Sequence, residues 1–184
     1  IEITLPASMI AIPFGSSEAE VIAENEDGTR TWRYGHNGAG GILYAGDYIR
    51  EDIEAGGMTI EFYYGRKHQA VMEAAGAADA VKAVVDYCTE HYGTLSFGTG
   101  ETLKLIQSRV AGGGYATTGA SLLDEADFTA ANLGSEEKGG GAGEVMIHEL
   151  VHQWWGLGNM FDTSDSTSPW SAEGLTVYTT YRIV

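Results

Sequence analysis

"HELVHQWWG", residues 148–156, sets His148 and His152 four positions apart with Glu149 between them. On an α-helix, residues four apart stand on one face, so the two imidazoles can turn toward a single ion. Glu149 would then lie beside the ion's open coordination position, where a carboxylate can take a proton from water. The competing reading is a core helix that happens to carry two satisfied histidines. The rest of the chain has to decide between them.

A catalytic zinc typically takes three protein ligands and leaves its fourth position to water. "PWSAEGLTVY", residues 169–178, offers Glu173 just after a helix start at Pro169-Trp170-Ser171. "FDTSDSTS", residues 161–168, offers Asp162 and Asp165 as rivals. That stretch reads as a loop, a poorer platform for a fixed ligand than a helix, so Glu173 is preferred and the two aspartates stay open.

Composition narrows the chemistry. Cys88 is the only cysteine, which excludes an internal disulfide and a thiolate zinc cluster and leaves histidine and carboxylate as metal ligands. Ten Lys and Arg against 26 Asp and Glu give a net charge of −16, so no nucleic acid is expected as a partner, and attraction to anionic lipid is disfavoured. With 43% hydrophobic and 20% charged residues, the balance is that of a globular protein able to bury a core. No apolar run approaches the ~18 residues of a membrane span, and no signal peptide is visible. The chain opens without Met in strand-like "IEITLP" and closes in helix-like "GLTVYTTYRIV", so it reads as a piece excised from something longer.

Residues 1–64 carry β signals: "AEVIAENEDGTRTWRY" (19–34) brackets an Asp27-Gly28 turn, and "MTIEFYY" (58–64) alternates. One small antiparallel sheet is expected there. From about residue 65 the period changes, with Val71, Ala75, Ala78, Val81, Val85 and Cys88 recurring at helical steps up to Gly93, which predicts one amphipathic helix. "TLKLIQSRV" (102–110) and "YATTGASLL" (115–123) read as two strands joined by glycines 112 to 114. "GSEEKGGGAGE" (134–144) lacks the spacing of a phosphate loop and reads as a flexible connector. His36, His68 and His91 read as surface or turn residues.

"HELVHQWWG" followed by "WSAEGLTVY" resembles the gluzincin zinc aminopeptidases, the family of aminopeptidase N. The resemblance extends over most of the chain. It implies an α+β fold in which residues 1–64 close an N-terminal antiparallel β-domain and residues 65–184 form the first half of a thermolysin-like zincin catalytic domain. It also implies one zinc ion per chain, bound by His148, His152 and Glu173, with Glu149 as catalytic base and a peptide as substrate. "GGGYATTGASLL" (112–123) stands where the family has Gly-x-Met-Glu-Asn, which places Gly113, Gly114, Tyr115 and Ala116 at the substrate. Ala116 replaces the glutamate that grips the substrate's free amino terminus, so strict aminopeptidase specificity is not implied. Twenty residues separate His152 from Glu173 where the family has 18, implying a slightly longer loop. The family's transition-state tyrosine lies past Val184, which leaves Tyr178 and Tyr181 as packing residues of their helix.

The wording "GGGYATTG" and "WSAEGLTVY" is also similar to gluzincin domains of large bacterial membrane proteins with transporter-like spans. That similarity implies an extracytoplasmic domain whose partner is the remainder of its own membrane-anchored chain. Two functions follow from the sequence. One is a zinc peptidase in which the metal activates water and Glu149 shuttles the proton, with the strand near Tyr115 pairing to an extended peptide. The other is a non-catalytic zincin-fold module that binds peptide or a partner protein, favoured by Ala116 and opposed by the intact Glu149.

Overall fold

The computed structural model describes residues 1–14, 17–35, 43–95, 102–109, 113–158 and 170–184. The first five strands, β1 (Glu2–Pro6), β2 (Ile10–Pro13), β3 (Ala19–Glu24), β4 (Thr29–Tyr34) and β5 (Leu43–Gly46), divide between two antiparallel sheets, β1-β4-β3 and β2-β5. The β3–β4 hairpin turns at Asp27-Gly28 as the sequence predicts. Gly28 supplies φ +80°, and Asp27 Oδ1 accepts from the Thr29 amide at 3.1 Å.

The single small sheet expected for residues 1–64 is not what forms. Strands β6 (Tyr48–Ala55) and β7 (Met58–Gly65) instead join β8 (Thr102–Ser108), β9 (Gly114–Thr117) and β10 (Ala120–Asp124) in a five-stranded sheet of order β6-β7-β8-β10-β9. This sheet runs across the junction between residues 64 and 65. It is mixed: β7–β8 and β8–β10 are parallel, and the outer pairs are antiparallel. Parallel pairing requires a crossover connection, which the helices after residue 68 provide. "YATTGASLL" is likewise two strands and not one, because Gly119 at φ +78° folds it back into the β9–β10 hairpin.

The crossover is α1 (Gln69–Ala75) and α2 (Ala77–Tyr92), where one continuous helix was expected. Gly76 breaks it in the left-handed conformation at φ +65°. The break has a packing partner in the glycine-rich stretch before residue 144. A β-carbon on Gly141 would run into the carbonyl oxygen of Ala75, and Ala142 beside it is buried. The expected flexible connector is therefore a close-packed loop of 3₁₀ turns, with a short helix, α3 (Ala130–Leu133), ahead of it.

Strand β8 is buried on both faces, so its side chains divide between two cores. Leu103 and Leu105 join Val81, Val85, Cys88 and Leu150 under the helices, while Ile106 packs with Ile12, Tyr63 and Leu122 on the opposite face. Lys104 points to the second face and is itself buried. Its ammonium donates to the carbonyls of Pro13 (3.4 Å) and Ser17 and lies 3.4 Å from Glu18 Oε1. A buried cation of this kind is tolerated because it is paired, and it ties the N-terminal strands to the central sheet. The helical layer is completed by α4 (Glu144–Val151) and by a π-helical turn, Trp170–Gly174, leading into α5 (Leu175–Ile183). Among the described residues, no helix is long and apolar enough to cross a membrane.

Candidate metal centre

Helix α4 lies against the β9–β10 hairpin and is held in register by polar contacts that its apolar face could not supply. Ser121 Oγ donates to the Glu149 carbonyl at 2.9 Å. Gln153, fully buried, accepts from the Gly119 amide (3.1 Å) through Oε1 and donates to the Thr117 carbonyl (2.9 Å) through Nε2. The next two residues fix the end of the helix to other elements. Trp154 Nε1 donates to the Gly93 carbonyl at 2.7 Å, and Trp155 Nε1 donates to Thr179 Oγ1 of α5 at 3.0 Å. Three successive side chains after His152 thus anchor the helix to the hairpin, to α2 and to α5.

The α5 side approaches closely at one point. A β-carbon on Gly156 would stand 2.8 Å from that of Ala172, so only glycine lets the π-helical turn come up to the helix end. That turn carries Glu173. Its Oε2 lies 3.4 Å from His148 Nε2 and 3.4 Å from His152 Nε2, and the two nitrogens are 3.1 Å apart. Zinc at about 2.0–2.1 Å from each of three tetrahedral donors would separate those donors by about 3.3–3.4 Å. The observed triangle fits one such ion. Among the described residues, these three form the group of histidine and carboxylate donors able to hold a metal.

The surroundings of the two imidazoles agree with that use. His152 Nδ1 lies 3.2 Å from the Trp155 carbonyl and 3.2 Å from Thr176 Oγ1. A proton on Nδ1 satisfies the carbonyl and leaves the Nε2 lone pair facing the triangle, an outer-shell arrangement typical of metal-binding histidines. Burial, and then the neighbouring His152, lower the pKa of His148, which favours its neutral, ligating form. Glu173 is more than half exposed and completes the set from the open side.

Glu149 is 6% exposed and is not one of the three donors. Burial, reinforced by Glu173, pushes its pKa up to about 7, the range in which a carboxyl group can both take and return a proton. The strand opposite leaves it just enough room: a β-carbon on Gly114 would fall within the Glu149 side chain. Gly113, Gly114, Tyr115 and Ala116 line one wall of a cleft of about 650 Å³, with His148, Glu149, His152 and Glu173 on the other. Strand β9 is the edge of its sheet, so its outer backbone groups have no strand partner among the described residues. Ala116 adds no carboxylate to this wall.

Asp162, Asp165 and Pro169 lie outside the described residues, as do His36 and Gly112. His68 is half-buried in a turn against Gln107, and His91 is exposed and stacked on Tyr87 at 4.1 Å. The expectation that Tyr178 and Tyr181 pack their helix is corrected: they are 58% and 66% exposed. The reason is the facing of α5, which turns Thr176, Thr179 and Thr180 inward, small side chains that allow the helix to approach α4 closely. The anchoring roles of Ser121, Gln153 and Thr176 have no signature in local sequence, since each depends on an element distant in the chain.

No family model matches the sequence, nor does any curated protein sequence. Among solved structures, the chain is similar to a glutamate-to-alanine mutant of an M1 zinc metallopeptidase from Deinococcus radiodurans. The match has a TM-score of 0.58 at 19% identity and covers 97% of this chain and 38% of that one. A two-domain M1 zinc metallopeptidase mutant bound to L-arginine matches with the same TM-score, identity and coverage. At this identity the likeness establishes the fold: the chain has antiparallel and mixed sheets with packed helices, as in part of an M1 peptidase. It spans 38% of the length of the structures it matches.

Proposed function

We propose that the chain carries the zinc-binding half of a peptidase centre of the gluzincin, aminopeptidase-like kind, built on a thermolysin-like zincin scaffold. The observation that carries this reading is the triangle of His148, His152 and Glu173, with the buried carboxylate of Glu149 beside it and, across the cleft, a strand edge unpaired among the described residues. His148, His152 and Glu173 would hold one zinc ion, which when bound polarises a carbonyl and makes water acidic enough to attack near neutral pH. Glu149, buried beside the triangle, would take a proton from water there and return it to the leaving amine. The edge of β9 from Gly114 to Thr117 offers main-chain partners to an extended peptide running past Glu149. The peptide is the proposed partner, and the whole protein the proposed peptidase.

One observation favours a second reading, a zincin-fold module that binds peptide without cleaving it: the strand wall carries Ala116 in place of a carboxylate. Both readings are tested by zinc content and turnover. The peptidase reading expects one zinc per chain held by His148, His152 and Glu173, and a Glu149→Gln variant of the full-length protein that keeps zinc while losing most turnover. No zinc uptake would overturn the metal site. Zinc uptake and peptide binding without cleavage by the wild type would select the binding module.

A further inference from the structure

We propose that Glu144 is a specificity residue of this cleft and recognises an ammonium group of the bound peptide, either its free amino terminus or a lysine side chain next to the scissile bond. The proposal rests on the peptidase reading for its setting and adds to it a residue outside the metal-binding motif. Glu144 opens α4 and lines the same cleft as His148 and Glu149. Standing four residues before His148, it lies one turn back along the same helix face, about 6 Å along the axis from the metal-binding row. Its side chain is exposed and makes no ion pair with Lys or Arg among the described residues. Lys138 shares a neighbouring cavity with Glu144, but its ammonium donates to Asn132 Oδ1 at 3.3 Å.

The other charges of the cleft leave this role to Glu144. Its acidic lining is Glu144, Glu149 and Glu173, beside the two histidines and Tyr115, with no Lys or Arg among the described lining residues. Glu173 faces both imidazoles. Glu149 is buried, lines the cleft beside the two histidines, and is assigned to proton transfer by the peptidase reading. Ala116 leaves the strand wall without a carboxylate. A peptide lying in this cleft with an ammonium group near the scissile bond therefore meets one uncommitted carboxylate, on the helix wall. A peptide presenting a carboxylate beside Glu144 meets like charge from that residue.

A bland alternative exists, since an acidic residue in the first turn of a helix stabilises the helix dipole whatever the cleft binds. The two roles differ in what they change. A helix-terminal role alters thermal stability and leaves ligand preference untouched.

The test is calorimetric binding at pH 7 to the zinc-loaded full-length protein carrying Glu149→Gln, so that ligands are not consumed. Four matched peptides are compared: lysine or norleucine before the scissile bond, each with a free or an acetylated amino terminus. An ammonium-bearing peptide is expected to bind about tenfold more tightly than its neutral match, the size of one charge-assisted hydrogen bond at a partly exposed site. Adding Glu144→Gln should bring the ratio to about twofold or less, and Glu144→Asp should restore part of it. The pair that loses its ratio, free against acetylated or lysine against norleucine, identifies the ammonium. Equal binding of all four peptides overturns the proposal, as does a ratio that survives Glu144→Gln or a Glu144→Gln effect confined to thermal stability. Cleavage by the wild type without any ammonium preference would overturn Glu144 alone. A Glu144-dependent preference in a protein that cleaves nothing would sustain Glu144 and overturn the peptidase reading.

Discussion

Gly156 and Ala172 meet with no room for another methyl group: a β-carbon at position 156 would stand 2.8 Å from the one at 172. Gly156 also has φ +92°, a conformation that L side chains rarely adopt. The contact joins the end of the histidine helix to the turn that carries Glu173. A Gly156→Ala change should therefore push the third donor away from the two imidazoles. We expect zinc affinity to fall about 10- to 100-fold, the range seen when supporting residues of a metal site are lost. Competition with a chromophoric chelator measures it, and an unchanged affinity would show that the turn can move without cost.

Gln153 should matter to stability more than its distance from the cleft implies. It bonds the Gly119 amide and the Thr117 carbonyl in a buried setting, so Gln153→Leu removes a polar partner from each. The expected loss is about 2–4 kcal/mol of unfolding free energy. Urea unfolding of the zinc-free chain with an unchanged slope would record it. A loss below about 0.5 kcal/mol would mean that the hairpin finds other partners.

The raised pKa of Glu149 makes the metal-free fold sensitive to pH. Its carboxyl group titrates near 7 when folded against an ordinary value of 4.5, so between those values the folded chain holds more protons than the unfolded one. Stability from this group is complete below about 4.5 and declines as pH rises through about 7, by at most about 3 kcal/mol. Glu149→Gln should flatten this decline and raise the midpoint of thermal unfolding at pH 8. A wild-type midpoint that rises steadily from pH 5 to 8 in the absence of metal would contradict it.

Zinc should stabilise the chain by mass action, because the three donors are brought together only in the folded state. With free zinc at about 100 times the dissociation constant, the gain is about 2.7 kcal/mol. Chelation should reverse it. Glu173→Ala should remove most of the zinc-dependent shift in melting temperature while leaving the metal-free melt nearly unchanged, since Glu173 is more than half exposed. A full zinc shift in Glu173→Ala would place the third ligand elsewhere.

Thr176→Val removes the hydroxyl 3.2 Å from His152 Nδ1 while keeping the side chain's shape. The Trp155 carbonyl remains to hold the Nδ1 proton, so the expected effect is modest, about threefold to tenfold in zinc affinity. Chelator competition at pH 7 checks it. A loss as large as that of Gly156→Ala would mean that Thr176, and not the carbonyl, orients the ring.

Local rules were enough for parts of this molecule. The four-residue spacing put His148 and His152 on one face of α4, and Asp27-Gly28 fixed a hairpin, because both depend only on backbone geometry over a few residues. Local reading did less well wherever a partner lay far along the chain. "MTIEFYY" shows its alternation but not its neighbour, so nothing near Met58 says that β7 will pair in parallel with β8, more than forty residues later. The helical period from Val71 to Cys88 runs through Gly76, and the break there is matched by Gly141, whose lack of a side chain lets the later loop reach the carbonyl of Ala75. At the centre itself the sequence supplied two imidazoles and a set of candidate carboxylates. The close approach of Gly156 to Ala172, and the fixing of α4 by Gln153, Trp154 and Trp155, bring Glu173, among the described acids, to 3.4 Å from both rings. That choice depends on packing between segments distant in sequence, which only the folded chain determines.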